Sequence, residues 1–178
     1  MTKNELHANF SSMLLAIGNQ LCLEGETNLK NNGQNCVLCP TNWNWEGGNT
    51  CYYYGKEAKS WEQSRQFCSA QNSTLLLIKE AEKLELAKKK NPESQFLFGL
   101  TFRDKQRDWY WEDNTALTKE QKSWTRLDSV FQYCGYFYYH TIYSQRCKQE
   151  LYYICEKPAI RLQRHDNHWQ EDWFIRSK

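Results

Sequence analysis

The chain has 178 residues, of which 40% are hydrophobic and 15% aromatic, which is enough apolar surface for one folded domain with short appendages. Its charges nearly cancel, to +2, so the composition favours neither nucleic acid nor an anionic membrane surface as a partner. Eight cysteines are too many for a reduced protein of this size, and only Cys36 and Cys39 have the spacing of a zinc-binding pair. The cysteines therefore predict disulfides and an extracellular setting.

Two Asn-x-Ser/Thr triplets, at Asn9 and Asn72, are predicted N-glycosylation sites and agree with a secretory route. No apolar run reaches the roughly 18 to 20 residues that cross a bilayer. The N-terminus also lacks the basic start and small-residue cleavage site of a signal peptide. We therefore expect any membrane anchor of the full-length protein to lie outside this chain, which fits a fragment or an unusual isoform.

Residues 1–24 are predicted to form a stalk helix. Apolar residues recur there at spacings of three and four, on one stripe of a helix. The stripe fits either a dimerising coiled coil or a short amphipathic helix that packs on its own domain. Residues 25–35 are rich in Asn and Gly and are predicted to be a linker. The stripe consists of Leu6, Phe10, Met13, Ile17 and Leu21.

Residues 36–158 have the dense pattern of a folded domain. Ser60 and Gln63 form a capping box that predicts a helix, and a second helix is predicted over 79–90, where Asn91-Pro92 stops it. The charged, turn-rich stretch 101–130 is predicted to be a long irregular loop. Helices early and strands late, without βαβ alternation, predict an α+β fold. Strands are predicted over 51–54, 96–100, 133–139, 142–146 and 152–157.

Several motifs follow one another in the order and spacing of the C-type lectin-like domain, which the chain resembles over most of residues 36–158. The resemblance implies two helices packed on antiparallel sheets with a long loop region and disulfide staples. Three further motifs, at 35–40, 72–76 and 133–136, resemble the natural-killer-receptor type and, within it, C-type lectin domain family 12, the myeloid inhibitory receptors. The domain motifs are Cys39-Pro40-Thr41-Asn42-Trp43, Cys51-Tyr52, Trp61 to Cys68, Leu97-Phe98-Gly99-Leu100, Trp109-Tyr110-Trp111-Glu112-Asp113, Cys134, Cys147 and Ile154-Cys155-Glu156-Lys157.

The resemblance implies three disulfides. Two cysteines are then left over, Cys22 and Cys36, which pair either with each other or with a second copy of the chain. The second arrangement predicts a covalent homodimer. The implied pairs are Cys39 with Cys51, Cys68 with Cys155, and Cys134 with Cys147.

Calcium-dependent members of the family hold the ion with a Glu-Pro-Asn or Gln-Pro-Asp triplet in the long loop and a Trp-Asn-Asp triplet before the cysteine that matches Cys147. Such side chains supply most of the six to eight oxygens that calcium needs. Here the stretch 101–130 has no proline, and the second triplet position reads Ile142-Tyr143-Ser144. We therefore predict neither a metal site nor a cofactor, and ligand binding without calcium.

Tyr136, Tyr138 and His140 alternate along a predicted strand, so we expect them on one face. In β-glucan-binding relatives the positions that match Tyr136 and Tyr138 contact ligand, and Tyr143 matches further downstream. These four residues are predicted to bind ligand, although the tyrosines would also suit packing beneath the loop.

Two arginines, Arg103 and Arg107, are candidates for contact with an acidic or sulfated ligand, or else belong to a solubilising turn. Beside them, Trp109 and Trp111 are predicted to be core residues. Residues 159–178 continue beyond the usual end of the family domain and are predicted to be a disordered or loosely docked tail. His165 and His168 in that tail have metal-ligand spacing but few nearby partners.

The function predicted from these features is that of a ligand-binding ectodomain of an immune-cell surface receptor, resembling type II membrane proteins. Its ligand would be a protein, a glycan or a particle. The alternative is a secreted lectin-like decoy or assembly subunit without an anchor. We do not expect an enzyme, since the four histidines form no catalytic constellation within the domain.

Overall fold

The computed structural model describes residues 35–89, 93–165 and 168–171. The predicted stalk over 1–24, residues 25–34 of the predicted linker, Asn9 and Cys22 lie outside the described residues. The helices are α1 (Trp61–Ala70), α2 (Ala81–Lys88) and α3 (Lys119–Lys122). The strands are β1 (Asn35–Leu38), β2 (Asn44–Trp45), β3 (Thr50–Tyr54), β4 (Thr74–Leu75), β5 (Phe96–Arg103), β6 (Asp108–Trp111), β7 (Thr125–Arg126), β8 (Tyr133–Tyr138), β9 (Thr141–Arg146), β10 (Tyr152–Pro158), β11 (Ile160–His165) and β12 (His168–Glu171).

The chain divides into two compact units, of which the first contains the described residues up to Cys51 and from Pro158 onward. Its sheet has the order β1, β11, β12, and both strand pairs are antiparallel. Val37, Cys51 and Ala159 form a small buried cluster in this unit.

The first unit corrects the prediction for the C-terminal tail. The structure places 160–165 and 168–171 in paired strands, so a disordered tail is wrong for these residues. β1 also begins at Asn35, the last residue of the predicted linker. The tail prediction relied on where the family domain usually ends, and it overlooked the alternating apolar residues at 160 and 162 that let β11 pair with β1.

The second unit spans Tyr52 to Lys157. Its sheet runs in the order β3, β10, β5, β8, β9, β7, with β4 paired to β10 and β6 paired to β5. Most pairs are antiparallel, whereas β10 with β5 and β7 with β9 are parallel. Together with α1 and α2 this confirms the predicted α+β fold. The largest side chains of its core that are fully buried are Trp111, Phe98, Leu76, Ile78, Leu100 and Ile142.

Helix α1 begins with the predicted capping box. Ser60 Oγ accepts a hydrogen bond from the Gln63 backbone N–H at 3.2 Å, and Gln63 Oε1 accepts one from the Ser60 N–H at 3.2 Å. These bonds satisfy two backbone donors that the first helical turn would otherwise leave unpaired. The helix is tied to β10 by the disulfide between Cys68 and Cys155.

All three disulfides that the resemblance implies are present: Cys39 to Cys51, Cys68 to Cys155, and Cys134 to Cys147. Cys36 is also disulfide-bonded. Within the part of the chain that is described, no helix is long and apolar enough to cross a bilayer.

The prediction of a long irregular loop over 101–130 is wrong in part, because regular elements occupy several segments of it. β5 continues to Arg103, and β6, α3 and β7 follow within the stretch. The composition misled because α3 has the polar sequence Lys-Glu-Gln-Lys, yet its Gln121 is buried. Gln121 Oε1 accepts a hydrogen bond from Trp111 Nε1 at 2.9 Å, and its Nε2 donates to the Lys79 carbonyl at 2.9 Å. One amide side chain thus joins three separate segments.

Candidate ligand-binding face

One row of side chains crosses the sheet of the second unit, and we call it the cross-sheet row. Strand register places Tyr153 beside Leu97, Leu97 beside Tyr136, Tyr136 beside Tyr143, and Tyr143 beside Arg126. Residues paired in register point to the same side of a sheet, so all five side chains lie on one face. The row therefore runs from β10 to β7 across five neighbouring strands.

One end of the cross-sheet row is covered by α1. Phe67 of α1 lies 5.6 Å from the ring of Tyr153, centroid to centroid, and Trp61 Nε1 donates a hydrogen bond to the Phe98 carbonyl at 2.9 Å. As a result Leu97 is 0% exposed and Tyr153 2% exposed. Burial raises the pKa of Tyr153 to about 12.

The other end of the row is partly open to solvent and carries the tyrosines predicted to bind ligand. Tyr136 and Tyr143 lie 5.8 Å apart between ring centroids, and Tyr138 lies 6.5 Å from Tyr143. Phe137 points to the opposite side, where it is buried and stacks on Phe96 at 5.2 Å. The alternation predicted for this strand is therefore confirmed for Tyr136 and Tyr138. We call Tyr136, Tyr138 and Tyr143 the tyrosine face.

The local sequence explains why this face forms. β8 and β9 are an antiparallel hairpin in which Tyr138 pairs with Thr141 across a two-residue turn. The disulfide between Cys134 and Cys147 closes the other end of the hairpin. Desolvation is the main cause that raises the pKa of Tyr136, with smaller contributions from Tyr143 and Tyr138, so the Tyr136 hydroxyl remains a neutral donor and acceptor at physiological pH.

His140 is not on the tyrosine face, which corrects its predicted position. Tyr139 and His140 form the turn itself, with φ angles of 46° and 66°. This is the geometry of a tight hairpin turn, so the strand alternation that placed His140 with the tyrosines ends at Tyr138. Both turn residues are exposed.

Arg103 and Arg107 are also separate from the tyrosine face. Leu97 is the β5 residue level with Tyr136, and Arg103 lies six residues further along β5, about 20 Å away in an extended strand. Arg103 donates a hydrogen bond to Asn114 Oδ1 at 2.6 Å and lies 4.5 Å from the ring centre of Tyr110. Arg107 is exposed in the turn before β6. The predicted ligand residues thus form two groups and not one site.

Sequence reasoning missed two residues of the open end. Arg126 is exposed and ends the cross-sheet row on β7. Gln145 lies two residues after Tyr143 on the same face of β9, and its buried Nε2 has no hydrogen-bond partner among the described residues. No local signal in the sequence marks either residue. For Arg126 the reason is that the parallel pairing of β7 with β9 cannot be read from the two residues of β7.

The remaining sequence predictions have clear places in the structure. Trp109 and Trp111 are 3% and 0% exposed, which confirms them as core residues. Asn72 is exposed in the turn after α1, and its glycosylation stays a prediction. Among the described residues no group of three or more His, Cys, Asp or Glu side chains is arranged to hold a metal ion.

Two carboxylates lie inside the second unit and away from the tyrosine face. Burial raises the pKa of Glu156 against the opposing effect of Lys83, whose Nζ lies 2.7 Å from its carboxylate. Burial also raises the pKa of Glu112, while Leu75 and Arg65 partly offset the shift. Within the described part of the chain, Glu112 Oε2 is buried and has no hydrogen-bond partner. The ion pair between Lys83 and Glu156 joins α2 to β10.

Residues 57–157 match the family model described as the Lectin C-type domain. The chain belongs to this family. It is 35% identical over 137 residues to the human "C-type lectin domain family 12 member B", an alignment that covers 74% of this chain and 49% of that protein. The Mus musculus protein of the same name is 32% identical over 174 residues, covering 93% and 62%. The predicted resemblance to family 12 is therefore confirmed.

The natural-killer-receptor type is represented too. Human "Killer cell lectin-like receptor subfamily G member 1" is 31% identical over 122 residues, which cover 68% of this chain and 59% of that protein. The chain spans roughly half to three-fifths of the length of these relatives.

Two solved structures share the fold. The "Mouse Scavenger Receptor C-type Lectin carbohydrate-recognition domain" has a TM-score of 0.57 at 23% identity and covers 67% of this chain and 96% of its own. A "calcium-independent type II antifreeze protein" has a TM-score of 0.58 at 19% identity and covers 70% and 97%. At these identities the likeness confirms the C-type lectin fold alone.

Proposed function

We propose that this chain is the calcium-independent, ligand-binding ectodomain of an immune-cell surface receptor and that the tyrosine face contacts its ligand. The observation that carries the proposal is the partly open end of the cross-sheet row. There, three tyrosines within 6.5 Å of a neighbouring ring present both apolar ring surface and hydroxyl groups. Tyrosines are enriched in binding surfaces because they provide large, rigid contact area with a polar tip.

The relatives support a receptor and not an enzyme. They carry the names of C-type lectin domain family members and of a killer cell lectin-like receptor. Cell-surface display, a role in immunity and calcium independence are parts of the same proposal. Calcium independence is supported by Ile142-Tyr143-Ser144 at the position where calcium-binding relatives have acid and amide side chains.

The test is a screen of the folded, disulfide-bonded chain against glycan arrays and a panel of cell lines, repeated in EGTA. We expect the binding found to survive chelation and to be lost in the double variant Y136A/Y138A. Y152A is the matched control, since Tyr152 is 55% exposed but lies off this face. Near-ultraviolet circular dichroism and thermal melting would verify that each variant is folded. Chelator-sensitive binding, or equal loss in Y152A, would contradict the proposal.

A further inference from the structure

We propose that one end of the sheet of the second unit docks on a membrane, with Val130 and Phe131 entering the acyl boundary of the bilayer while neighbouring cations bind anionic lipid phosphates. We call this surface the apolar–cationic rim. It uses none of the residues of the tyrosine face, so the inference goes beyond the proposed function and does not depend on it. The rim consists of Val130, Phe131, Lys105, Arg107, Arg146 and Lys148.

The apolar part of the rim is a pair of adjacent exposed residues. Val130 is 45% exposed and Phe131 is 62% exposed. The other large hydrophobic side chains that are exposed in the described structure, Tyr139, Tyr152 and Ile160, are far apart from one another in the sequence. Single exposed apolar residues are common on protein surfaces, so the adjacent pair is the informative feature.

Hydrogen bonds hold this pair at the surface. The Val130 N–H donates to the Asp128 carbonyl at 2.9 Å, and the Val130 carbonyl accepts from the Tyr133 N–H at 3.1 Å. Trp109 Nε1, which belongs to a buried indole of the core, donates to Ser129 Oγ at 3.3 Å. The exposure of the two apolar side chains is therefore a property of a hydrogen-bonded turn that is anchored to the core.

Strand register brings two cations to the same end of the sheet. β8 runs antiparallel to β5 with Cys134 opposite Thr101, so the residues before Cys134 lie level with the end of β5 and with the turn that follows it. That turn contains Lys105 and Arg107, and both are exposed. These two side chains therefore lie at the end of the sheet that carries the apolar pair.

Two further cations lie on the other side of the apolar pair. Arg146 is paired with Tyr133, and the Cys147 N–H donates to the Gln132 carbonyl at 2.8 Å, so the pairing of β8 with β9 continues past the ends of both strands. Arg146 and Lys148 flank this contact, and both are exposed. Cations therefore lie on both sides of the apolar pair.

The side chains of these four cations form no hydrogen bond or ion pair within the described part of the chain. The exposed acids nearest to them in sequence, Asp104, Asp128 and Glu150, form no ion pair with them. Guanidinium and ammonium groups bind phosphate oxygens well. The rim thus offers apolar side chains and phosphate-binding cations side by side.

A bilayer fits this arrangement better than a folded protein does. A stable protein interface buries roughly 800 Å² on each partner, which two exposed apolar side chains do not approach. In a bilayer the phosphates lie next to the acyl boundary, so a small apolar tip and the cations around it are matched together. Each cation near an anionic bilayer raises the affinity about fivefold. We therefore infer a bilayer that carries anionic phospholipid on its surface.

The test uses the folded, disulfide-bonded chain and two kinds of vesicle, phosphatidylcholine alone and phosphatidylcholine with phosphatidylserine. Vesicle flotation measures the bound fraction at physiological ionic strength, in EGTA so that calcium cannot bridge protein and lipid. We expect binding to the phosphatidylserine vesicles. Binding to phosphatidylcholine should be roughly tenfold weaker, because this lipid has no net charge.

Variants of the rim should weaken binding to the phosphatidylserine vesicles. F131S should weaken it about tenfold, since the apolar ring no longer enters the acyl boundary. R146Q and K148Q should each weaken it about fivefold through the loss of one charge. Thermal melting would verify that each variant is folded.

Matched controls lie away from the rim. Tyr139 is 53% exposed in the turn at the opposite end of β8, so Y139S removes an equally exposed aromatic ring. Lys56 is exposed just after β3, where the Gly55 N–H donates to the Tyr153 carbonyl near the start of β10. That end of the sheet is about 23 Å from the rim along β5, so K56Q removes the same charge at a distance. Both controls should change binding by less than about twofold.

Insertion is measured separately from charge attraction. F131W places an additional indole at the apolar tip, and Y139W places one in the exposed turn at the other end of β8. Vesicles whose acyl chains carry bromine quench tryptophan fluorescence on contact. On such vesicles F131W should lose more fluorescence than the natural chain, and Y139W should not.

Absence of binding to phosphatidylserine vesicles would overturn the inference, and it is the result expected if the rim binds an acidic protein instead. Equal weakening by F131S and Y139S, or by K148Q and K56Q, would overturn it by showing non-specific adhesion. Bound F131W without additional quenching would overturn it by showing attachment through charge alone. The proposed function is judged separately, by the effect of Y136A/Y138A on the ligand found in the screen.

Discussion

The two ends of the cross-sheet row differ in what covers them, although they share one sheet and one face. At β10 and β5 the helix α1 covers Tyr153 and Leu97. At β8, β9 and β7 the same face leaves Tyr136, Tyr143 and Arg126 partly or fully exposed. Strand register thus places residues that stabilise the fold and residues available for binding in one line. The role of a residue in the row therefore depends more on whether α1 covers it than on which strand it belongs to.

The largest expected effect on stability comes from releasing helix α1 from the sheet. The disulfide between Cys68 and Cys155 closes a sequence separation of 87 residues and holds α1 on β10. The chain-entropy model gives such a loop about 4 to 5 kcal/mol of stability. We expect C68A/C155A to lower the free energy of unfolding by about that amount, measured by chemical denaturation. A loss below about 1 kcal/mol would show that α1 stays in place without the disulfide.

A direct comparison of the two ends uses one substitution in each. Leu97→Ala creates a cavity under α1 and should cost about 2 to 5 kcal/mol, because Leu97 is fully buried. Tyr143→Ala at the open end should cost less than about 1 kcal/mol. Denaturant unfolding of both variants measures the contrast. Similar losses would mean that the tyrosine face is part of the core.

Alkaline pH probes the covered end through Tyr153. Its pKa is raised from 10.0 to about 12 by burial, so the unfolded chain ionises there before the folded one does. The stability that this neutral tyrosine contributes is present below pH 10 and is lost as pH rises from 10 to 12. We expect the free energy of unfolding of Y153F to fall less steeply with pH over that window than that of the natural chain. An unchanged alkaline transition in Y153F would contradict the assignment.

The smallest effect concerns Glu112, which lies on the same side of β5 as Leu97. Burial raises its pKa, so the ionised carboxylate opposes folding at neutral pH. Ionisation of Glu112 should begin to lower the free energy of unfolding as pH rises above about 4.5, and the loss should be complete above the folded-state pKa. In the same pH range E112Q should be more stable than the natural chain. Thermal melting from pH 3 to 8 measures this. A gain for E112Q that grows on acidification would have the wrong sign.

The sequence predicted the parts of the fold that depend on local or covalent signals. The capping box of Ser60 and Gln63 placed α1, and alternation placed Tyr136 and Tyr138 on one face. The disulfide pairs came from the family resemblance and not from spacing. What failed needed long-range knowledge: β11 forms a strand because β1 lies beside it, and α3 is held by Gln121 bonding to Trp111 and Lys79.

The candidate site was predicted in part for the same reason. Tyr136, Tyr138 and Tyr143 come from one hairpin, so their proximity follows from local pairing. Arg126 joins them only through the parallel register of β7 on β9. His140 was misplaced because a strand pattern says nothing about where the turn begins.

The short strand β7 has a thermodynamic consequence for the end of the sheet that carries Arg126. It contains two residues at the end of the sheet order, and the hydrogen bond from the Ile142 N–H to the Trp124 carbonyl just before it is long, at 3.4 Å. Segments with few such bonds open at low free-energy cost. Arg126 therefore stays beside Tyr143 only while β7 is paired with β9, and amide hydrogen exchange over 124–128 would measure how often that pairing opens.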